Sequence, residues 1–540
     1  MVGITMAESE RDPASAFHEL GLDEVVETAK AEIRQLYRED SVPWVIGYSG
    51  GKDSSASLQL MWLALEELPE DERTKPVHVI STDTLVENPV VASWVNRSLT
   101  SIQKHSDEAH LPFVAHRLTP PAGDSFWVNL IGRGYPAPRP KFRWCTERLK
   151  INPSNHFIRE TVRENGEAVL VLGTRKSESV ARGRTMARHA EGAVRDRLTV
   201  NGSLPNSLVY TPIEDWTSDD VWAFLMLIPN PWGIDNAELM GMYRGATADG
   251  ECPLVVDTST PSCGNSRFGC WVCTLVDEDK SMGAMIRNDE EKSWMQPLLD
   301  LRNEFDFRSE QNRKRDRSRR DFRRIGGHLT YYTDAGGDGQ LVPGPYKQEA
   351  REYWLRRLLE TQQWIRTNGP DYVRELELIT NDELHEIRRM WIVDKHEVED
   401  RLPEIYENVL GEPYPGPPIE ENLVFDRETL ALLRETCGEE NPLHYEMLRT
   451  LLEQERRYRT MARRKGLFET LEKTITKCYF QDEADALDFE SRKAAAASRE
   501  TLGPEEPMTF VAMQNLPHTD ESGAEEAEIL SSSDAIVRQD

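Results

Sequence analysis

Apolar positions along the chain follow two periods, and the change from one to the other marks out the elements. Residues 17 to 38 carry apolar side chains at helical spacing and predict an amphipathic entry helix. Short apolar runs follow at Trp44 to Tyr48, Val77 to Ser81, Pro112 to Arg117 and Val169 to Gly173, each with the length and flanks of a strand. Between the first two, Leu60, Met61, Ala64, Leu65 and Leu68 form one apolar helical stripe. Strand, helix and strand at this separation predict parallel pairing and an α/β fold. The loop 119 to 140, rich in Pro, Gly and aromatics, is too long for a plain connection. Asp219 to Leu227 reads as a short helix stopped by Pro229 and Pro231, so the α/β portion is expected to end near residue 235. Beyond a cysteine-bearing stretch, residues 347 to 366, 377 to 398, 427 to 436 and 442 to 464 have helical periodicity, broken by the Pro-rich turn 412 to 418. Past residue 481 the chain is acidic, rich in Ala and Ser, and reads as a tail that cannot bury enough apolar area to order itself. The expected organisation is a helical segment at 1–40, an α/β domain at 41–235, a cysteine module at 236–285, a helical domain at 286–480 and an acidic tail at 481–540. No internal repeat is visible.

Charge narrows the classes. The 540 residues hold 94 Asp and Glu against 65 Lys and Arg, a net charge of −29, which excludes a generally cationic nucleic-acid coat. Only 16 of the 65 cations are lysines, and arginine bias with carboxylate excess suggests a high-salt cytoplasm. The longest apolar stretch, Trp222 to Pro229, falls far short of the roughly 20 residues of a membrane span, so no membrane association is expected. The first residues lack a basic segment followed by an apolar one, and the cytoplasm is the expected location. Seven cysteines are too few for a disulfide scaffold, yet four fall between Cys252 and Cys273, a pattern that suggests metal binding. Arginines are locally dense. Arg308 to Arg324 contains nine Lys and Arg against three Asp and Glu, and Arg182, Arg184, Arg188, Arg195 and Arg197 form a second group. Either a phosphate-contacting surface or a solvated, partner-facing helix accounts for such clusters.

The sharpest chemical signal is Val45-Ile46-Gly47-Tyr48-Ser49-Gly50-Gly51-Lys52-Asp53-Ser54-Ser55, a strand running through a Ser-Gly-Gly-Lys-Asp-Ser turn into a helix. Glycines allow close approach of a ligand, and amide groups at a helix N-terminus attract anions, so the turn reads as a phosphate cradle. The spacing is not that of a Walker A loop. It resembles the PP-loop of ATP pyrophosphatases, which grips pyrophosphate while AMP is transferred. That resemblance implies an adenine-nucleotide α-hydrolase-like sheet, ATP and Mg²⁺ as cofactors, phosphate contacts from Ser49, Gly50, Gly51, Lys52, Ser54 and Ser55, and a Mg²⁺ or capping role for Asp53. Further segments resemble the phosphoadenylylsulfate-reductase-like branch: Ser81-Thr82-Asp83-Thr84, Arg143 to Pro153 with Cys145 and Lys150 inside it, Gly173-Thr174-Arg175 with Glu178-Ser179 and Arg182, and Pro212 to Thr217. Asp83, Gly173 and Arg175 thereby join the expected ATP site. Trp216 and Trp222 read as core packing.

Cys252, Cys263, Cys270 and Cys273 are separated by ten, six and two residues, unlike a zinc ribbon. Four thiolates suit tetrahedral zinc or a [4Fe-4S] cluster, and sulfur ligation alone does not separate them. No adjacent Cys-Cys pair and no Cys-Gly-Leu-His nucleophile motif occur, which departs from the reductases themselves. The set SGGKDS, FWVNLIGRGYP, FRWCTERLK, LGTRKSES, NPWG and ECP…SCGNSRFGCWVC closely resembles the DndC sulfurtransferase family of DNA phosphorothioation systems over residues 40 to 285, and more weakly beyond, as in GPYKQEAREYWL and HEVED. The resemblance implies exchange of a non-bridging backbone-phosphate oxygen for sulfur, driven by cleavage of ATP to AMP and pyrophosphate. It also implies a [4Fe-4S] cluster on the four cysteines, DNA as substrate, a cysteine desulfurase as sulfur donor, and other Dnd-system proteins as partners. Related expectations are a PP-loop enzyme that thiolates tRNA, an Ssp-type single-strand phosphorothioation enzyme, and a nucleotide-switched subunit without catalysis. Arg143, Lys150, Arg182, Arg313, Lys314, Arg315 and Arg317 are the candidate DNA-phosphate contacts. Lys52, Asp53 and Cys145 are the candidate catalytic residues. Arg143, Arg148 and Lys150 surround Cys145 in sequence, so a lowered thiol pKa and sulfur carriage are expected there. His396 and Glu397 read as helix surface or packing, Cys437 and Cys478 as buried thiols.

Overall fold

The computed structural model describes residues 15–179, 183–184, 186, 197–247, 268–333, 339–397, 399–417, 427–437, 441–459, 461 and 464–501. Cys252, Cys263 and Arg182 lie outside the described residues. Met1–Ala486 forms one compact unit and Leu487–Asp540 another.

The first unit is built on a six-stranded sheet. Its strands are β1 (Trp44–Gly47), β2 (Val77–Thr82), β3 (Phe113–Leu118), β4 (Ala168–Val171), β5 (Thr199–Val200) and β6 (Ser207–Tyr210), in the order β3-β2-β1-β4-β6-β5. All neighbours pair in parallel except β5, which lies antiparallel to β6 at the edge. The four strands read from the sequence are β1 to β4, within a residue or two at each end. Helices α1 (Leu22–Glu39), α2 (Lys52–Glu66), α3 (Pro89–Glu108) and α4 (Asn152–Asn165) connect and cover them. α3 starts where Asn88 accepts a hydrogen bond from the Val90 amide and Pro89 takes the first helical position, where a missing N–H costs nothing. α5 (Ser218–Leu227) begins with a reciprocal Thr217–Asp220 capping box. The order of β3-β2-β1 reverses at β4, and open sheets of this kind bind ligands beyond the strand ends at such a reversal.

Trp44, Ile46, Trp62, Phe113, Val169, Trp222 and Phe224 make the core on one face of the sheet. Trp216 and Trp222 are buried there. A second core crosses the sequence boundaries drawn above: Phe126, Trp127 and Ile131 from the aromatic loop pack with Trp144, with Trp271 beside the cysteines, and with Leu298, Trp354, Leu358, Ile387 and Trp391 of the helical half. Trp127 donates from Nε1 to the Leu378 carbonyl at 2.6 Å and Trp391 to the Ile131 carbonyl at 3.0 Å. The long loop is therefore an internal wedge, and its residues Val128–Arg133 coil as a π-helical turn.

After α6 (Asn236–Gly245) the helical half comprises α7 (Lys280–Asn288), α8 (Gln296–Phe305), α9 (Glu310–Ser318), α10 (Gln348–Asn368), α11 (Asn381–Arg389), α12 (Arg401–Leu410), α13 (Arg427–Cys437), α14 (Pro442–Arg459) and α15 (Leu467–Lys477), with a β7–β8 hairpin (Tyr331–Thr333, Gly339–Leu341). The HEVED segment, a connection before α12, ties three of these helices together. Glu397 pairs with Arg351 of α10, both buried; Glu399 accepts from Arg449 of α14 at 3.0 Å; Asp400 grips Arg388 of α11 at 2.9 and 2.6 Å. Stranding either member of such a buried pair is costly even where the pair itself adds little, so the segment sets geometry rather than chemistry. Glu397 is packed, as its sequence context suggested. A helix also spans Glu483–Thr501, within the stretch read as a tail. Its four consecutive alanines, 494 to 497, have the highest helix propensity of any residue, which a reading for disorder by overall composition does not weigh.

Candidate active site

The turn after β1 has the geometry its sequence suggested. Gly50 sits at φ 71°, where a Cβ would come within 2.5 Å of the Val95 side chain. The Ser49 amide donates to Ser54 Oγ at 3.2 Å, and Ser54 Oγ donates to the Gly51 carbonyl at 3.0 Å, which locks the turn onto the first residues of α2. Gly173, just past β4, lies so close that a Cβ would stand 2.7 Å from the Asp53 carbonyl oxygen. Only glycine lets these two strand ends meet.

Lys52 opens α2 with its side chain buried beside the turn. Its ammonium is 3.0 Å from Asp53 Oδ2, while Arg175 Nε donates to Asp53 Oδ1 at 2.7 Å. Burial presses the Lys52 pKa down, the Arg175 charge adds to that, and the Asp53 carboxylate opposes it. Arg175 is anchored by the Trp216 carbonyl and by Ser177 Oγ at 2.9 Å. Two cations thus converge on the turn with one carboxylate between them. Both Asp53 oxygens are taken by these cations, and Asp83 Oδ2 is held by Arg117. Asp53 braces the cationic pair.

A cleft of about 840 Å³ opens over the turn. It runs from Ser49–Asp53 past Arg175 and Ser177 to the ends of β2 and β3, where Asp83, Arg117 and Ser154 line it, and to Glu87 and Lys150. That far end adjoins the cysteines. Lys150 Nζ lies 3.2 Å from Glu87 Oε1, the Cys270 thiol donates to the same oxygen at 3.6 Å, and Thr84 Oγ1 is 3.3 Å from Cys270 Sγ. The backbones are joined as well: the Asn88 amide donates to the Gly269 carbonyl at 3.2 Å and the Trp271 amide to the Val86 carbonyl at 2.9 Å. Partial burial works against the Lys150 charge, but Cys270 and Glu87 beside it hold its ammonium above the ordinary lysine range. Burial, and then Glu87, push the Cys270 thiol far up.

Cys270 and Cys273 share a tight turn, with the Cys273 amide donating to the Cys270 carbonyl at 3.0 Å, and the charge of Cys273 is felt at Cys270. Two thiols so placed beside a hydroxyl and an ammonium are a donor set for a thiophilic metal group. Among the described residues no group of three or more metal-holding side chains forms, so the remaining ligands would come from Cys252 and Cys263.

Cys145 departs from expectation. It precedes a π-helical turn, Thr146–Ile151, and is half-buried. Burial pushes its thiol up, the Thr146 hydroxyl opposes this, and the Cys273 charge adds to it. The surrounding cations do not lower it because they are engaged elsewhere: Arg148 pairs with Asp124 and Lys150 with Glu87, while Arg143 is exposed. Cys145 and Cys270 nonetheless pack against the same second core.

The dense arginines are mostly occupied. Arg313 donates to the Arg308 carbonyl at 3.2 Å, Lys314 pairs with Glu310 at 2.7 Å, Arg315 donates to the Glu304 carbonyl at 3.0 Å, and Arg317 pairs with Glu483 at 3.1 Å. Arg320 and Arg323 are buried, the latter between Asp321 and Glu446. The run welds α9 to the helical half. Cys478 is buried against Arg323, with its pKa pushed up to about 11 by burial, whereas Cys437 is only half-buried.

Sequence reading missed Glu87, Arg117 and Tyr243 as cleft residues. Tyr243, on α6, receives a hydrogen bond from the Lys52 amide at 3.3 Å. No motif marks any of the three, because long-range packing alone brings them to the site.

Among solved structures, the chain is similar to FMN adenylyltransferase of Candida glabrata in complex with FAD and inorganic pyrophosphate, at 12% identity and a TM-score of 0.26, covering 45% of this chain and 65% of that one. It is also similar to the U34-tRNA thiolase NcsA of Methanococcus maripaludis with its [4Fe-4S] cluster, at 16% identity and a TM-score of 0.25, covering 38% and 63%. An uncharacterized protein of Methanocaldococcus jannaschii, MJ0066, is 26% identical over 275 residues, 51% of this chain; the match spans 44% of that protein's length. No helix among the described residues is long and apolar enough to cross a membrane. Residues 43–275 match the model of the phosphoadenosine phosphosulfate reductase domain, and the sheet within this stretch is adenine-nucleotide α-hydrolase-like.

Proposed function

We propose that the protein is an ATP-dependent sulfurtransferase of DNA phosphorothioation, cleaving ATP to AMP and pyrophosphate to activate a backbone phosphate whose non-bridging oxygen is replaced by sulfur. The observation that carries this reading is the continuity of the cleft: its phosphate-cradling turn and its cysteine end are joined through Glu87, Lys150 and Cys270. A phosphodiester oxygen leaves only after modification, and adenylation makes it part of a good leaving group. In this scheme the turn amides, Lys52 and Arg175 hold the departing pyrophosphate, with Asp53 keeping the two cations in place. Asp83, Arg117 and Ser154, which line the cleft, would face the adenosine. Cys252, Cys263, Cys270 and Cys273 would hold a [4Fe-4S] cluster, which when bound supplies sulfur or electron chemistry at the far end. Lys150 would orient the activated phosphate toward the cysteines. DNA, a cysteine desulfurase and further Dnd-system proteins are the partners this scheme requires.

Purified protein with the desulfurase, cysteine, ATP and DNA is expected to release AMP and pyrophosphate and to leave phosphorothioate dinucleotides in nuclease digests of the DNA. Thiolated nucleosides in tRNA digests, with unmodified DNA, would move the substrate to tRNA. Absence of AMP and pyrophosphate under all these conditions would remove the enzyme reading altogether.

Cys145 is the proposed sulfur carrier, outside the four-cysteine set and packed, like Cys270, against the second core. Cys145→Ser is expected to keep iron content and pyrophosphate release at the wild-type level and to lose DNA modification. Phosphorothioate yield per AMP formed is the deciding measurement. A wild-type ratio in the variant would show that sulfur reaches the phosphate without Cys145.

A further inference from the structure

Tyr243 occupies a place that the roles assigned above leave unexplained. Its side chain is 8% exposed, yet it lines the cleft directly over the phosphate-cradling turn. Its hydroxyl oxygen accepts from the Lys52 amide at 3.3 Å and lies 3.2 Å from where a Cβ on Gly51 would be. The Lys52 amide is one of the donors at the start of α2 that have no partner within the helix, the kind that an anion at a helix N-terminus takes up. The hydroxyl's own proton has no acceptor among the described residues. Burial pushes its pKa up to about 12, so that proton is retained at neutral pH. A buried donor facing a cleft, held against an anion-binding amide and lacking an acceptor, calls for an oxygen with free lone pairs.

The ring faces the other way. Its edge packs on Trp222 at 5.2 Å between centroids and on Phe268 at 4.7 Å. Phe268 stands two residues before Cys270, and the next carbonyl, Gly269, is bonded to the Asn88 amide. One side chain therefore touches both the phosphate turn and the segment that carries Cys270 and Cys273.

We propose that Tyr243 is a substrate-contacting residue of the nucleotide site, donating its hydroxyl proton to a β- or γ-phosphate oxygen held by the turn, and that through Phe268 it conveys phosphate occupancy to the cysteine segment. The proposal rests on the reading of the turn as a phosphate site and adds to it a specific donor and a route. A phosphate on the turn competes for the Lys52 amide, so the hydroxyl shifts from accepting that amide to donating to the phosphate. The ring follows, and so does Phe268 against it.

The test uses the full-length protein and Tyr243→Phe, which keeps the ring and its packing and removes one oxygen. Loss of a hydrogen bond to a charged group is expected to weaken inorganic pyrophosphate and ATP binding by about tenfold to a hundredfold in titration calorimetry. AMP, which lacks the β- and γ-phosphates, is expected to bind both proteins equally, as are iron content and melting temperature. ATP is expected to slow amide hydrogen exchange at 268–273 in the wild type and to slow it less in the variant. If the wild type binds neither ATP nor pyrophosphate, the phosphate-site reading itself falls. Where the wild type binds both and the variant binds pyrophosphate as tightly, the site stands and the Tyr243 contact is wrong. Weakened pyrophosphate binding with an unchanged exchange response would overturn the route through Phe268.

Discussion

Lys52→Ala is expected to lower AMP and pyrophosphate formation by at least about 10²- to 10³-fold, the usual cost of removing one donor aimed at developing charge in a water-poor site. The expectation follows from where the lysine sits. Its stem is buried under the turn, and its ammonium meets Asp53, which is also held by Arg175. Removing the ammonium leaves Asp53 paired, so no carboxylate is stranded and α2 keeps its start. The variant should therefore fold, with the iron content of the wild type unchanged. Arg175 cannot substitute, since Ser177 and the Trp216 carbonyl fix its guanidinium. Full pyrophosphate release by a folded Lys52→Ala protein, followed by a coupled phosphate assay, would end the assignment of this turn as the pyrophosphate site.

What could be read from the sequence was local. The strand-turn-helix at Val45 to Ser55 is contiguous, and its glycines, lysine and serines act within a few residues of one another. The strands β1, β2 and β4 announced themselves as apolar runs because a covered parallel sheet buries both faces, whereas β3 is buried only at its start. Sequence gave no view of what reaches the turn from afar. Tyr243 arrives from 191 positions away and Glu87 meets Cys270 across 183. The aromatic loop 119 to 140 was marked as unusual, but only the structure shows it as the wedge inside the second core. Charge was the least legible property. The run Arg308 to Arg324 reads as a cationic face, whereas the structure gives several of its members partners from elsewhere in the chain, the Glu304 carbonyl and the Glu446 and Glu483 carboxylates. The cations flanking Cys145 fail to activate it for the same reason. Adjacent residues on a helical turn point in different directions, and each of Arg148 and Lys150 finds its own carboxylate. Three acidic positions in HEVED, with no metal spacing, likewise acquire meaning from arginines on three other helices.

Cys270→Ser and Cys273→Ser are each expected to lose most of the iron and the broad visible absorbance of protein purified without oxygen, because a serine oxygen is a hard and weakly acidic ligand for a soft thiophilic site. Cys270 is the more informative position. Its backbone is bridged to Glu87 and flanked by the bonds from Asn88 and to Val86, none of which involves the thiol, so a serine leaves that junction intact. Serine is also smaller than cysteine by little, and its hydroxyl can serve Thr84 and Glu87 as the thiol does. The fold and the phosphate turn should survive, and basal ATP cleavage should stay near the wild-type level while sulfur transfer is lost. Metal analysis is the deciding measurement, since it does not depend on the reaction. Iron near four per chain in the wild type, falling sharply in both variants, supports ligation by this turn. Stoichiometric zinc with no iron in the wild type would replace the cluster by a structural metal, and equal iron in wild type and variants would place the metal elsewhere in the chain.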